Sequence, residues 1–598
     1  MKYTKPENLE NRLTTELLPA VRSPGRYIGG EFNQIVKAFR ADDLHFGLCF
    51  PDIYEIGMSN TAVSIIYDLV NTLDYASCER IFCPWTDAAA VMRDKSLPLH
   101  TLETKTAACE LDVLGFSVTT ELCNTNILLM LELAGIPLLA GERGEEDPLI
   151  LGGGQIANCC EPLADFFDMF IVGEAEDALP ELLERLHMHK TAATPRKEIL
   201  LDLAKRFEWL YVPSLYEFEY DGEEITAFKP LVEGLRCRFE NAVVKDFENA
   251  HLPQKPIVPF VQAVHERVSI EVMRSCPGRC RFCQASFSRR PVRVRSIEKI
   301  VETAKANYHA TGFDTISLLS LSTADYPWLN ELVDRLNEYF TPLKVGLSLP
   351  SLKVDKQLEL VPKMAASVRK GGLTIAVEAA SEKLRRVINK PITDENLFKA
   401  IDQAYQNGYQ RVKLYFMAGF PGETEDDIRR IADLSNDVAQ RRRRFAKGAA
   451  EVSAAVSWLI PKPHTPLGWM GQKPAQYFEN VKKIILDRKY ELNARSVRFK
   501  FHEIEGSLLE TVMARGDRRL GGVILNAYKG GACFDLWREN FDFQLWKNAF
   551  SDAGIDLYKL AQKQYGEDDI LPWQHLGGPE RDYLLKHYRA ALEEANES

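Results

Sequence analysis

The stretch Val268-Ser-Ile-Glu-Val-Met273-Arg-Ser275-Cys276-Pro-Gly-Arg-Cys280-Arg-Phe282-Cys283 decides how this chain is read. Val268 to Met273 reads as a strand, and three cysteines follow it directly, with three and then two residues between them. Thiolates at that spacing can wrap one soft-metal centre from a single loop, and three ligands leave one coordination position open for a reacting molecule. A structural zinc would need a fourth ligand, for which His265 is a candidate, and zinc sets commonly draw Cys-x-x-Cys pairs from two loops. Spacing and position at a strand end together favour a cluster with an open position over zinc or three unrelated cysteines.

Outward from this loop, apolar runs alternate with helical patterns. Val268–Met273, Thr315–Leu319, Lys344–Leu349, Leu373–Glu378, Arg411–Met417 and Val452–Leu459 read as strands, with helices beginning near Ser296, Asp325, Asp355, Thr393 and Thr424. This describes a six-unit partial β/α barrel, and Thr424-Glu-Asp-Asp427 has the form of a capping box. Upstream, His45–Phe50, Asp112–Ser117, Pro148–Leu151 and Asp168–Val172 read as buried parallel strands, with helices at Thr61–Leu73, Asn124–Leu133 and Ala175–Leu186. Such alternation predicts an open, doubly wound parallel sheet, whose ligands sit beyond the strand ends at Pro51-Asp52, Ser117, Gly152-Gly153-Gly154 and Gly173-Glu174. The expected fold is therefore α/β. A helical lead spans 1–43, the doubly wound domain 44–190, a linker with a small β-rich connector 191–264, the barrel 265–471 and a mostly helical region 472–598. In the connector, Tyr211–Glu219, Ala227–Pro230 and Val243–Asp246 read as extended; near the C-terminus, His502, Trp537 and Trp546 read as core.

The 598 residues are 45% hydrophobic and 27% charged with net charge −11, which excludes a small stapled scaffold and a disordered chain. The start has no signal-peptide pattern, and the longest apolar run, Ile127–Ala140, contains Glu132 and is too short for a bilayer. The expectation is a cytoplasmic protein with no membrane partner, in which twelve cysteines speak of metal or redox chemistry before disulfides. Against the acidic total, Arg274 to Arg295 holds seven arginines and no acid. Such a patch can hold a carboxylate or phosphate, dock an acidic electron donor, or engage an RNA. Arg441-Arg-Arg-Arg444 reads as a solvated face, and His464 as either a proton donor near the barrel mouth or a loop-ordering residue.

Cys276-x3-Cys280-x-Phe282-Cys283, at the end of the first strand of a six-unit partial barrel, resembles the signature of radical S-adenosylmethionine (SAM) enzymes. The resemblance implies a four-iron four-sulfur cluster on the three cysteines, with SAM on its unique iron. It implies reductive cleavage of SAM to start radical chemistry on an unknown substrate, driven by a donor such as flavodoxin or ferredoxin. Glu378-Ala-Ala-Ser381-Glu-Lys-Leu-Arg385 resembles the polar set that holds the ribose and methionine parts of SAM. Gly419 and Gly422, in Phe416-Met-Ala-Gly419-Phe-Pro-Gly422-Glu423, resemble the strand that lies against the adenine. Ser320 and Ser322 stand where the family carries a Gly-Gly-Glu run for the methionine amine.

The N-terminal domain resembles that of the cobalamin-binding subgroup through Asp112–Ser117, Gly152–Gly154 and Asp168–Glu176. Most of the chain, through Pro461-Lys-Pro-His464 and Ala514-Arg-Gly-Asp517, resembles an uncharacterised fused radical SAM group. The cobalt-ligating pattern Asp-x-His-x-x-Gly is here Asp52-Ile-Tyr54-Glu-Ile-Gly57. A phenol is a poor cobalt ligand beside imidazole, so cobalamin, if held, is held without a histidine ligand. The other reading is a scaffold without cofactor. Two alternative functions stay open: an RNA- or protein-modifying methyltransferase with cobalamin, and a non-enzymatic iron–sulfur or zinc-binding interaction protein. Methylthio transfer would need a second cluster, and the other nine cysteines show no second motif.

Overall fold

The computed structural model describes residues 9–38, 40–348 and 373–596. Six strands, β1 (Leu44–Phe50), β2 (Ala76–Phe82), β3 (Val113–Ser117), β4 (Leu149–Gly153), β5 (Met169–Ile171) and β6 (Leu210–Tyr211), form the N-terminal sheet in the order β2-β1-β3-β4-β5-β6. The first five run parallel and β6 closes one edge antiparallel. Every residue of β3 is buried, as in a sheet covered on both faces. The crossover helices Thr61–Asn71, Asn124–Ala134 and Ala175–Thr191 follow the apolar alternation. Asn60 caps the first of them by accepting from the amides of Ala62 and Val63, a contact worth about 1 kcal/mol.

Sequence periodicity passes over β2 and the helix Thr86–Lys95 behind it. In β2 the run Ser77-Cys-Glu-Arg80 interrupts the apolar pattern, and Arg80 is buried only because Glu31 and Glu103 neutralise it at 2.9 and 2.6 Å. Strand order reverses between β1 and β3, so a crevice opens beyond their carboxyl ends.

The connector contributes a hairpin of β7 (Tyr216–Asp221) and β8 (Glu224–Pro230). Its third extended segment, expected at Val243–Asp246, is not a strand; the pairing stops at an isolated bridge between Ala242 and Gly173. Gly173 has φ +111°, and a Cβ there would lie 2.5 Å from the Ala242 nitrogen, so only glycine permits this approach.

The second half holds β9 (Val268–Glu271), β10 (Met273–Arg274), β11 (Arg293–Val294), β12 (Thr315–Leu319), β13 (Gly346–Ser348), β14 (Leu373–Glu378), β15 (Arg411–Ala418), β16 (Glu451–Trp458) and β17 (Val497–Phe501). Parallel sheets β13-β12-β9 and β14-β15-β16-β17 form the barrel wall, while β10 and β11 make a short antiparallel ribbon around the cysteine loop. The helix expected near Asp355 and the end of the strand expected at Lys344–Leu349 lie outside the described residues.

Thr424 forms the full capping box with Asp427. Beyond Gln472 the chain is mostly helical, with helices Ala475–Glu491, Ile504–Arg515, Leu520–Lys529 and Phe543–Asp552, but β17 adds a further parallel strand. Its charged alternate residues, Arg498 and Lys500, face away from the core and hide it from an apolar search. Trp546 is core, as expected, and Trp537 is partly buried with its indole donating to Asp52 at 3.0 Å. His502, read as core, is instead exposed, because it occupies the turn that leaves β17.

Candidate functional site

The cysteine loop leaves the barrel at Ser275, whose φ is +70°. Cys276, Cys280 and Cys283 are partly exposed, and none of the three is in a disulfide. Backbone stitching holds the loop in place: the Arg281 amide donates to the Ile388 carbonyl, Asn389 Nδ2 to the Arg279 carbonyl, and the Leu467 amide to the Arg281 carbonyl. The Gly278 amide points at Cys276 Sγ from 3.3 Å, the kind of contact that tunes a cluster's potential through its sulfurs.

Burial pushes the Cys280 thiol up to about 12, so binding metal has to displace its proton. Among the described residues no three His, Cys, Asp or Glu side chains converge closely enough to hold a metal. The fit to an iron–sulfur cluster therefore rests on the donor set: three cysteines outside any disulfide on one loop, with an amide already turned toward sulfur.

Glu378 ends β14 with φ +66°, and its carboxylate accepts from Lys390 Nζ at 2.9 Å. Both groups act electrostatically on Cys280, which places this ion pair beside the cysteine loop. Sequence reasoning missed Lys390; its only signal was a lysine before Pro391 in the loop that follows the Glu378 segment. Phe282 is half-buried against the core.

Other expected residues have structural duties. Ser381 caps the helix Glu382–Val387 by accepting from the Leu384 amide. Arg385, with a side chain 1% exposed, donates to the carbonyls of Ala379, Ala380 and Ile392 and pairs with Asp394, so its donors brace the loop. Gly419, at φ +111°, donates its amide to Glu423 at 2.7 Å; Glu423 also accepts from the Tyr477 hydroxyl, and burial raises its pKa to about 7. Gly422 has the backbone of Ala595 within 2.7 Å of where a Cβ would stand, so it admits the C-terminal helix. Ser322 is 3% exposed and donates to Asp325 at 2.7 Å, whereas Ser320 lines a cavity.

That cavity, about 370 Å³, lies between the two halves of the molecule. One wall is the carboxyl edge of the N-terminal sheet, with Phe116, Gly152–Gly154 and Gly173; the other carries Met273, Ser275 and Ser320 from the barrel. Tyr54 is not part of it. Its side chain is buried, its hydroxyl donates to Glu31 at 3.0 Å and accepts from the Phe260 amide, and its ring meets Phe82 edge-on at 5.3 Å. The position that a cobalt ligand would occupy in the resembling subgroup is here a core residue.

The arginine run is largely an internal fastener. Arg274 pairs with Glu271 and Glu176, Arg293 with Glu174, and Arg281 with Glu594. Arg295 donates to the carbonyls of Glu248 and Ala250 and lies over Phe247 at 4.3 Å, and Arg290 donates to the Gly278 carbonyl at 2.9 Å. This leaves little of the run for an extended phosphate track. Arg441 pairs with Asp402 on the helix surface. His464 is 3% exposed, bonded to the Asn158 carbonyl at 2.8 Å, and burial lowers its pKa to about 4. It is neutral at physiological pH and orders the loop.

Residues 62–213 match the family described as radical SAM proteins, N-terminal, and residues 270–435 match the radical SAM superfamily. An uncharacterized protein of Methanocaldococcus jannaschii is 27% identical over 418 residues, covering 67% of this chain and 80% of its own. The ribosomal protein uS12 methylthiotransferase RimO of Desulfotalea psychrophila is 26% identical over 284 residues, covering 44% of this chain and 62% of its own. Among solved structures, the radical SAM methyltransferase TsrM from Kitasatospora setae, with cobalamin and an iron–sulfur cluster bound, aligns at TM-score 0.49 and 14% identity over 71% of this chain and 77% of its own. No helix among the described residues is long and apolar enough to cross a membrane. With a cysteine loop at the end of the first barrel strand and both family matches in register with the two halves of the fold, the chain belongs to the radical SAM superfamily and is a radical SAM enzyme.

Proposed function

We propose that the enzyme acts on a substrate held in the cavity of about 370 Å³ between the N-terminal sheet and the cysteine loop. The observation that carries this reading is a shared wall: Ser275, next to Cys276, and the glycine edge Gly152–Gly154 line the same space. When bound on Cys276, Cys280 and Cys283, the cluster supplies the electron that cleaves SAM to methionine and a 5′-deoxyadenosyl radical. The chain's own residues hold the reactants. Glu378, held by Lys390 Nζ at 2.9 Å, accepts hydrogen bonds from ribose hydroxyls. Ser320 offers a hydroxyl at the end of β12, and Phe46, Leu48, Phe116 and Leu151 keep water from the reacting space. The electron comes from a flavodoxin- or ferredoxin-type donor.

A second reading, methyl transfer with cobalamin, is supported by the glycine edge that faces the cavity, since glycine lets a flat ring approach the backbone. Tyr54 points into its own ion network, so a corrin here would carry no ligand from that position. The cob(II)alamin signal of a loaded protein should then lack nitrogen hyperfine splitting. RNA as substrate has less support, because most of the arginine run is committed internally. The family membership sets aside the non-enzymatic interaction protein.

Anaerobic reconstitution and reduction, followed by chromatography, test the proposal. Wild type should form 5′-deoxyadenosine, with S-adenosylhomocysteine in addition if methyl transfer occurs. A triple alanine variant at Cys276, Cys280 and Cys283 that keeps a full cluster, or wild type that purifies with stoichiometric zinc, would overturn it.

A further inference from the structure

Seven arginines lie between Arg274 and Arg295, and five have carboxylate or carbonyl partners. Of the other two, Arg279 is exposed beside the cysteine loop, whereas Arg289 lines the cavity between the two halves. Arg289 has no hydrogen bond or ion pair among the described residues. The carboxylates nearest to it, Glu174, Glu176 and Glu271, are already claimed by Arg274 and Arg293. Arg289 is exposed where it lines the cavity, and desolvation together with the charge of Arg274 lowers its pKa. A guanidinium with its donors unclaimed at a cavity wall, beside the like charge of Arg274, is placed to receive an anion.

The rest of the cavity is of another character. Phe46, Leu48, Ile65, Phe116 and Leu151 give it an apolar body, and Gly153 leaves open space where a side chain would stand. We propose that Arg289 is the anchor for the acidic group of an amphipathic organic anion, whose apolar part lies along the N-terminal sheet edge. A planar guanidinium with free donors matches a carboxylate, sulfonate or phosphate in two parallel hydrogen bonds. The inference rests on the cavity being the substrate's place, and it adds the substrate's class: an organic acid with an apolar body. Arg289 is thus a specificity-determining residue.

The test uses the full chain, loaded anaerobically with its cluster and left unreduced, so that it does not depend on turnover. Two fluorescent probes of similar shape are titrated: anilinonaphthalene sulfonate, which is anionic, and N-phenylnaphthylamine, which is neutral. Arg289→Gln should weaken the sulfonate by about tenfold, the value of one charge-assisted bond, and leave the neutral probe unchanged. Gly153→Trp should expel both, because an added Cβ at Gly153 meets no atom within 4 Å and the indole then fills the cavity. Arg279→Gln should change neither. Near-ultraviolet circular dichroism of each variant reports that the fold is retained.

The proposal is overturned if Arg289→Gln binds the sulfonate as wild type does, if it loses both probes equally, or if Gly153→Trp retains them. Absence of 5′-deoxyadenosine in the turnover assay, with probe discrimination intact, overturns the enzymatic reading and leaves the anion site standing. Normal turnover with no discrimination does the reverse.

Discussion

The two halves of this molecule use one construction, parallel strands with crossover helices, and place different chemistry at the strand ends. In the N-terminal sheet the ends of β4 and β5 are glycines, Gly152–Gly154 and Gly173, which offer backbone and space. In the barrel the ends of β10 and β14 carry Ser275 with the cysteine loop, and Glu378 with Lys390. The N-terminal half puts its charges inside, in closed sets such as Arg80 with Glu31 and Glu103, or Arg143 and Arg196 with Asp168. The barrel leaves thiols and an ion pair at its mouth. One half is built to enclose and the other to react; the cavity exists only because the two faces meet.

This contrast can be broken from the reactive side first. Cys280→Ala should lose most iron and lower 5′-deoxyadenosine formation by more than about 100-fold, since three ligands are the minimum for a site-differentiated cluster. The thermal melt should stay close to that of cluster-free wild type. An alanine variant that retains iron and activity would remove the chemistry from this loop.

From the enclosing side, Arg80→Ala leaves Glu31 and Glu103 buried without a cation. Breaking such a set costs about 3–5 kcal/mol. A large fall in melting temperature is expected, with deoxyadenosine formation per folded molecule preserved. An equal loss of specific activity would mean that the two halves are not separable in this way.

Glu378→Gln sharpens the assignment at the barrel mouth. It removes the charge facing Lys390 and should weaken SAM binding by about tenfold, one charge-assisted hydrogen bond, with iron content unchanged. Calorimetry on the reconstituted protein reads the affinity. Unchanged binding returns Glu378 to a strand-end acid that only steadies the loop.

The smallest effect lies at Glu423. Burial raises its carboxyl from 4.5 to about 7 in the folded chain, against the pull of the Gly419 amide and the Tyr477 hydroxyl. The folded state therefore binds this proton more tightly than the unfolded state. The stability it contributes is complete below about pH 4.5 and is lost as pH rises through about 7. Glu423→Gln should flatten the melting temperature between those values, and an unchanged slope would show that the carboxyl titrates normally.

Much of this was legible locally. The cysteine spacing, the apolar runs of β1, β12, β14 and β15, and the Thr424 capping box are encoded within a few residues of themselves, because thiolate bite, strand burial and helix caps are short-range matters. Among the strands that escaped, β2 and β17 are those whose charged residues hide the pattern. Arg80 in β2 looks like a surface residue until Glu31 and Glu103 are brought to it.

The site divides along the same line. Reading residues in order is enough to put three cysteines on one loop at the end of a barrel strand, and to set Ser320 and Glu378 at the ends of two further barrel strands. Which polar groups are free is settled only in three dimensions. Arg274 and Arg293 meet Glu176 and Glu174 from the other half of the molecule, and Arg281 meets Glu594 from the last helix. Tyr54 turns to Glu31, Gly422 serves the C-terminal helix, and Arg289 lines the cavity with no hydrogen bond or ion pair among the described residues. The reason is that residue type fixes what a side chain can bind, while the partner comes from chain folded in from far along the sequence, and the burial that makes the pairing matter is a property of the whole packed molecule.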